Sequence, residues 1–200
     1  MIHDGSAYAD GANFLYSDVT SARNTFENNI MYGTGGMALY HHCGKANRGL
    51  NNIVHKTSTL ESMYGGCGKY ADTRPQEYEN ARNIYLLENM DDFVFSKSSY
   101  RYYNMPPDFH HNIYWSMVPG DEALPKFPYL PEPQSEYQNW YEWQATGNDS
   151  QSLWQDPLFE DPAAHRYILT PDSPAWNLGI QQIDLDNFGI QAEGKYLRRH

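Results

Sequence analysis

Basic residues and long apolar runs are scarce in this 200-residue chain, and each scarcity excludes a class of protein. It has 14 Lys and Arg against 25 Asp and Glu, a net charge of −11. An acidic surface repels phosphates, so no nucleic-acid partner is expected. No stretch of roughly 18 residues is apolar, which excludes a membrane-spanning helix, and no membrane partner is expected. The first residues lack the basic region and apolar run of a signal peptide.

The chain repeats itself at a fixed interval. Tyr40 and Tyr64 lie 24 residues apart and Tyr16 lies 24 before Tyr40; an apolar residue precedes each of them, namely Leu15, Leu39 and Met63. A period in the low twenties indicates repeats that stack, so residues one period apart become neighbours about 4.8 Å apart. We therefore expect the three apolar residues to form one buried column.

The two cysteines, too few for a disulfide framework, occupy matching places in this repeat. Cys43 and Cys67 each follow a repeat tyrosine by three residues, which predicts that they lie on adjacent strands. Strand spacing falls within the Cα separation of a disulfide, but a matched position does not set the side-chain angles. A disulfide and a pair of buried thiols both fit the pattern.

Asparagine–isoleucine pairs form a second ladder. Asn28-Asn29-Ile30 recurs as Asn51-Asn52-Ile53, and Asn83-Ile84 and Asn112-Ile113 continue it. Each pair opens a short run rich in β-branched and aromatic residues, which predicts a strand rather than a helix. Asparagine suits the corner before such a strand because it tolerates left-handed backbone. Short strands, turn glycines and no helical period predict an all-β, parallel β-helix fold.

The predicted turns of this coil fall near 2–23, 24–48, 49–79, 80–105 and 108–118, so residues 1–118 form the repeating part of one domain. From Pro119 five prolines within sixteen residues forbid regular pairing and predict an extended excursion. Ser135 to Gln138 fits a capping box and Gly147 a helix stop, which predicts a short helix over 136–146. Residues up to 190 are expected to cap the coil, and 191–200 to form a tail.

Three segments resemble the C-terminal part of right-handed parallel β-helix proteins of the pectate-lyase-like superfamily: Asp156–Pro162, Tyr167–Ala175 and Glu142–Gly147. The resemblance implies a single-stranded right-handed coil with a C-terminal cap. It also implies kinship with secreted glycoside hydrolases and polysaccharide lyases, and so an extracellular place for the full-length family. The chain starts within the repeat pattern, at Ile2-His3-Asp4-Gly5, so we expect it to correspond to the C-terminal portion of a longer coil.

The strand ends after the repeat tyrosines carry the first candidate site. Successive side chains of a strand point to opposite faces, and Leu15 and Leu39 are expected to point inward. This predicts that Tyr16, Asp18, Tyr40 and His42 lie on the outer face. Asp18 and His42 would be a catalytic acid–base pair, and the two tyrosines would stack on sugar rings. A solvated ladder of polar side chains fits the same pattern, and a one-residue slip would exchange the two faces.

Three further residues complete the candidate site. Asp10, in an Asp-Gly turn that resembles the family pattern, is a candidate second catalytic carboxyl group, with a purely structural turn as the alternative. His41 and Arg74 are candidate substrate-binding residues, Arg74 as a clamp on an acidic sugar, or else paired with Glu77 or Glu79. Because adjacent strand residues point to opposite faces, His41 and His42 are not expected to share a metal. No cofactor is expected.

Three functions remain open at this point. The first is a glycoside hydrolase that acts on polysaccharide through paired carboxyl groups. The second is a polysaccharide lyase, which would need clustered acids for Ca²⁺ and a basic residue that abstracts a proton. The third is a non-catalytic glycan-binding or structural β-helix remnant.

Overall fold

The computed structural model describes residues 2–3, 15–17, 21–33, 38–41, 46–56, 62–66, 78–88, 93–95, 108–118, 127–128 and 137–185. These residues are mostly β-structure with few helices, in agreement with the predicted all-β class. The helices in the described ranges are α1 (Trp140–Ala145) and two 3₁₀ helices, Pro162–Ala164 and Pro174–Leu178. None of them is long and apolar enough to cross a membrane.

Most described strands belong to three parallel sheets. Sheet 1 orders β1 (Ile2–His3), β4 (Ile30–Tyr32), β7 (Ile53–Lys56), β10 (Ile84–Leu87), β13 (Ile113–Ser116) and β16 (Leu153–Trp154). Sheet 2 orders β11 (Phe93–Phe95), β8 (Ser62–Gly66), β5 (Leu39–His41) and β2 (Leu15–Ser17). Sheet 3 orders β12 (Asp108–His110), β9 (Glu79–Ala81), β6 (Arg48–Leu50) and β3 (Thr25–Glu27). From β1 to β13 the chain visits sheets 1, 2 and 3 in the same order each time.

Two antiparallel pairs complete the described strands: β14 (Phe127–Pro128) with β15 (Tyr137–Gln138), and β17 (Phe159–Asp161) with β18 (Arg166–Leu169). The sequence predicts a helix that starts at residue 136, and this prediction is wrong. Tyr137 and Gln138 belong to strand β15, and Asn139 and Glu142 form the capping box instead. The Asn139 side chain accepts from the Tyr141 and Glu142 amides at 3.0 and 3.1 Å, so the helix begins at Trp140. Gly147 follows the helix with φ of +90°, as predicted for a stop.

The register of sheet 1 confirms the predicted alignment of the asparagine–isoleucine pairs. Ile30 pairs with Ile53, Ile53 with Ile84 and Ile84 with Ile113, although the intervals in sequence are unequal. Leu153 of β16 continues the column beyond Ile113. Parallel in-register pairing therefore absorbs loops of different length between the strands.

A column of buried amides runs beside these isoleucines and holds the register. The side-chain oxygen of each asparagine accepts from both the backbone N–H and the side-chain NH₂ of the asparagine before it. The distances are 3.0 and 3.0 Å from Asn29 to Asn52, 2.9 and 3.0 Å from Asn52 to Asn83, and 2.9 and 3.3 Å from Asn83 to Asn112. The residues before the column asparagines have positive φ: Asn28, Asn51, Arg82 and His111. The prediction of asparagine at these corners is therefore right at the first two and wrong at the last two, where the left-handed residues are Arg82 and His111.

Sheet 1 is buried on both faces. Alternate side chains, among them Met31, Val54, Tyr85 and Tyr114, meet residues of the other two sheets and α1 in one core. The opposite set, the isoleucine column, packs against the C-terminal residues 156–185, which we call the cover segment. The cover segment contributes six buried residues: Phe159, Tyr167, Leu169, Ala175, Ile180 and Ile183. The strands of sheet 1 are therefore apolar on both sides, as expected for a parallel sheet.

The inner column of sheet 3 contains a glycine where its neighbours carry side chains. Gly49 pairs with Phe26 and Asn80, and a Cβ atom on Gly49 would lie 2.4 Å from Asn80 Oδ1 and 2.9 Å from Leu39 Cδ1. Asn80 is fully buried, and its side-chain nitrogen and oxygen have no hydrogen-bond partner within the described residues. The amide therefore occupies the space that the missing Cβ leaves.

We expect Gly49→Ala to lower the free energy of unfolding by about 1–3 kcal/mol, because the packed core cannot move away from the added methyl group. Chemical denaturation of the folded protein measures this. The double variant Gly49→Ala/Asn80→Ala should recover part of the loss, since alanine at 80 removes the atom closest to the new methyl. Losses that simply add in the double variant would contradict this contact.

Candidate functional site

The predicted site lies along sheet 2, and the backbone pairing there agrees with its first half. Leu15 pairs with Leu39, Tyr16 with Tyr40 and Ser17 with His41. Leu39 is 1% exposed and lies in the core, with Leu15 packed against the same core, so both are inward as predicted. The tyrosine interval of 24 residues thus corresponds to one step between neighbouring strands.

The third member of the predicted column is wrong by one residue. Leu39 pairs with Tyr64 rather than Met63, and Tyr64 in turn pairs with Phe95. The step from Leu39 is therefore one residue longer than the tyrosine interval, because parallel pairing does not require loops of equal length. Tyr40 consequently lies beside Gly65, not beside a third tyrosine.

This slip places two glycines next to the candidate residues. His41 pairs with Gly66 as Tyr40 pairs with Gly65. A glycine carries no side chain, so the β8 strand offers bare backbone at both register positions. Glycine within a strand often marks a place where another molecule or backbone approaches closely.

Six other residues of the sequence predictions lie outside the described residues: Asp10, Asp18, His42, Arg74, Cys43 and Cys67. Tyr16, Tyr40 and His41 have described backbones, but their side chains also lie outside the described part of the structure. What the structure brings together is thus the strand pair β2–β5; Asp18 and His42 are the next residues of the chain after Ser17 and His41.

A second group of ionisable residues, which the sequence did not single out, lies on the outer face of sheet 1. His55, on β7, is 1% exposed. Its Nε2 is 2.9 Å from Glu88 Oε1, and its Nδ1 is 2.7 Å from the Tyr167 hydroxyl of the cover segment. The same hydroxyl is 3.1 Å from His165 Nδ1. The His165 ring stacks on Tyr32, with 4.1 Å between centroids.

One set of proton positions satisfies every bond in this group. The Glu88 carboxylate accepts from His55 Nε2–H, which leaves His55 Nδ1 free to accept from the Tyr167 hydroxyl. The Tyr167 oxygen then accepts from His165 Nδ1–H. Burial raises the pKa of Tyr167, with Tyr32 and Glu88 adding to the effect, so the phenol stays neutral.

Burial also lowers the pKa of His55, as the largest influence on that ring. The hydrogen bond and the negative charge of Glu88 oppose the shift, and the charge of His165 adds to it. The neutral imidazole is therefore the favoured form in the folded protein. No sequence signal marked this group, because His55 and Tyr167 are 112 residues apart and each lies in a short apolar run.

A polar ladder crosses the outer face of sheet 3, where Arg48, Glu79 and Asp108 occupy paired positions. Arg48 Nε donates to Glu79 Oε2 at 2.6 Å, and His110 Nε2 lies 3.3 Å from Glu79 Oε1. Burial acts to raise the pKa of Glu79, but Arg48, His110 and Arg82 together lower it. Glu79 was a predicted alternative partner for Arg74; in the described residues it pairs with Arg48. Such surface pairs contribute little stability.

A buried acid closes the asparagine column at its C-terminal end. Asp149, 2% exposed, accepts hydrogen bonds from the Ser152 hydroxyl, from the Tyr114 hydroxyl at 2.6 Å and from Asn112 Nδ2 at 3.4 Å. The backbone N–H of Asn112 donates to Ser152 Oγ at 2.7 Å. Ser152 therefore accepts the bond that the next asparagine would accept in the column. Burial raises the pKa of Asp149 although these bonds act in the opposite direction. Full burial beneath α1 indicates a structural role.

Comparison with protein-family models, with curated proteins and with solved structures finds no match to this chain.

Proposed function

We propose that the chain winds as a right-handed parallel β-helix of the pectate-lyase-like kind, and that sheet 2 carries a polysaccharide-binding site with glycoside hydrolase activity. The constant order in which the chain visits sheets 1, 2 and 3 supports the winding. The likeness of Asp156–Pro162 and Tyr167–Ala175 to the C-terminal part of such proteins supports the class.

The observation that carries the proposed site is the in-register pairing of β2 with β5. Ser17 pairs with His41, and we infer from this pairing that the residues next in sequence, Asp18 and His42, lie side by side. Adjacent parallel strands are about 4.8 Å apart, which is within reach of a carboxyl group and an imidazole. Gly65 and Gly66, which pair with Tyr40 and His41, carry no side chain that would block a sugar ring over the next strand.

The chemistry proposed for this site is general acid–base hydrolysis. One carboxylic acid protonates the oxygen of the departing sugar while a second carboxylate activates water or attacks the sugar. Asp18 and Asp10 are the proposed pair, and His42 shares a proton with Asp18. Tyr16 and Tyr40 supply faces on which pyranose rings stack, and Arg74 binds the carboxylate of an acidic sugar.

Hydrolysis of a polysaccharide panel by single variants tests this proposal. We expect Asp18→Asn and Asp10→Asn each to lower kcat by about 10²- to 10⁴-fold, the usual contribution of a positioned acid or base. Asp108→Asn is the matched control, because Asp108 is a 74% exposed strand acid on sheet 3. Its rate should equal that of the unaltered protein.

Other outcomes of the same panel would replace the proposal. Equal hydrolysis by all three variants would remove Asp10 and Asp18 from the site. Products that absorb as unsaturated uronates would indicate a lyase. Sugar binding that Tyr40→Ala weakens, without any product, would indicate a non-catalytic glycan-binding protein.

A further inference from the structure

Two polar attachments of different character, both between described residues, link the cover segment to sheet 1 and to the corner before β7. The first pairs Asn51 with Gln181: the Asn51 side chain donates to Gln181 O at 3.1 Å and accepts from Gln181 N at 2.8 Å. Neither partner is ionisable. The second is the group of His55, Glu88, Tyr167 and His165, in which each histidine changes its hydrogen-bonding capacity when it gains a proton.

We propose that this second attachment is an acid-sensitive clasp: it holds the cover segment on sheet 1 while the two histidines carry at most one extra proton, and it releases the segment when both are protonated. The proposal rests on the positions of the hydrogen bonds and does not depend on the proposed carbohydrate activity.

One extra proton can be accommodated without breaking a bond. When His55 gains a proton at Nδ1, that N–H donates to the Tyr167 oxygen. The Tyr167 hydroxyl hydrogen then turns to His165 Nδ1, provided that His165 is neutral with its proton on Nε2. The charged His55 ring stays 2.9 Å from the Glu88 carboxylate, so the new charge is paired.

A second proton cannot be accommodated. With both rings charged, His55 Nδ1–H and His165 Nδ1–H both point at the one Tyr167 oxygen, and the hydroxyl hydrogen loses its acceptor. Two positive rings whose centroids are 5.9 Å apart then share a single carboxylate, and the His55 ring is buried while His165 is exposed. Repulsion at the buried His55 ring and the unpaired, buried Tyr167 hydroxyl both favour the open state.

The surroundings of His55 contain no other described charge that would relieve this conflict. The groups that contact it are Glu88 after β10, Tyr167 on β18 and His165 just before β18; Tyr32 of β4 stacks on His165. The lowered pKa of His55 gives the sign of the pH effect. Closure is fully favoured above the ordinary histidine pKa of about 6.5 and is lost as the pH falls below it.

Hydrogen exchange of backbone amides between pH 8 and pH 5 tests the clasp on the intact chain. Reporters in the cover segment are the amides of Thr170 and Ile180, bonded at 3.0 and 3.1 Å to Leu158 O and Ala175 O. The reference amide is Ile113, bonded at 2.9 Å to Asn83 O. Below pH 6.5 we expect the protection factors of the reporters to fall about tenfold per pH unit for each excluded proton, while the reference stays constant.

Two variants should move this profile in opposite directions. His165→Asn leaves His55 as the one histidine of the clasp, so the fall should not exceed about tenfold per pH unit and should be shallower than in the unaltered protein. Asparagine tolerates the left-handed backbone at 165, where φ is +57°. Glu88→Gln removes the carboxylate that is bonded to His55, so the cover amides should lose protection at a higher pH. Parallel profiles in all three proteins, or unchanged protection down to pH 5, would overturn the clasp.

Discussion

Replacing Asn83 with alanine should lower the free energy of unfolding by about 3–5 kcal/mol, the largest effect expected of any single substitution in the asparagine column. Asn83 is fully buried. Its side-chain oxygen accepts from Asn52 N and Asn52 Nδ2, and its NH₂ donates to Gly49 O at 3.0 Å and to Asn112 Oδ1 at 3.3 Å. Alanine leaves donors and an acceptor without partners in the interior, and it leaves a cavity as well.

Asn29→Ala is the matched control for this measurement. Asn29 stands at the other end of the same column and gives its side-chain NH₂ to Glu27 O and Asn52 Oδ1. Among the described residues, no asparagine before it donates to its oxygen. The Asn52 oxygen keeps the Asn29 backbone donor, so the loss should stay near about 1 kcal/mol. Equal losses in urea-induced unfolding of the two variants would mean that the column does not act as a connected network.

The second large effect is expected for Asp149→Ala, which should lower the free energy of unfolding by about 3–4 kcal/mol. The substitution removes the acceptor of the fully buried Tyr114 hydroxyl and of the Ser152 hydroxyl. It also places alanine at a φ of +49°, which asparagine and aspartate tolerate better. Asp172→Ala is the control, because Asp172 is an exposed turn residue and its loss should be within about 0.5 kcal/mol.

Asp149→Asn separates the charge of this acid from its shape. Asparagine keeps the backbone preference but presents one NH₂ group to hydroxyls that must donate, so we expect a loss of about half that of the alanine variant. The raised pKa of Asp149 means that the folded state binds more protons than the unfolded state. As the pH falls from 7 toward 4, the unaltered protein should therefore gain stability relative to Asp149→Asn; a difference that does not change with pH would contradict this.

The register of sheet 1 could be predicted from the sequence because two local signals agree there. Isoleucine opens each strand, and asparagine fits both the corner and the column of amides, so Ile30, Ile53, Ile84 and Ile113 align despite unequal intervals. The fifth ladder position shows where the signal ends. Ser152 replaces asparagine before Leu153, and nothing in the sequence marks that substitution as equivalent.

The register of sheet 2 could be predicted only for its first step. Leu15 and Leu39 align as the tyrosine interval indicates, but Tyr64 takes the position assigned to Met63. A repeat interval counts residues, whereas a parallel pair is set by the side chains that fit the core and by the backbone bonds that follow. One extra residue in the connecting loop shifts the next strand without any change in the local pattern.

The helix start shows a similar limit at short range. Ser135 to Gln138 and Asn139 to Glu142 both have the form of a capping box, and local sequence does not rank them. Pairing of β15 with β14 occupies Tyr137 and Gln138, so the second box caps the helix. Trp140 and Trp143, which are three residues apart and so share one helix face, are then buried in the core.

The sequence by itself determined the class of fold, the asparagine column and the short-strand architecture, because each depends on residue types repeated at nearby positions. The tertiary structure alone decided how the cover segment meets sheet 1, and with it the contact between His55 and Tyr167 across 112 residues. It also decided the burial of Asp149 under α1. A hydrogen bond between distant residues follows from where the chain folds back, and that depends on the packing of the whole apolar surface rather than on any local pattern.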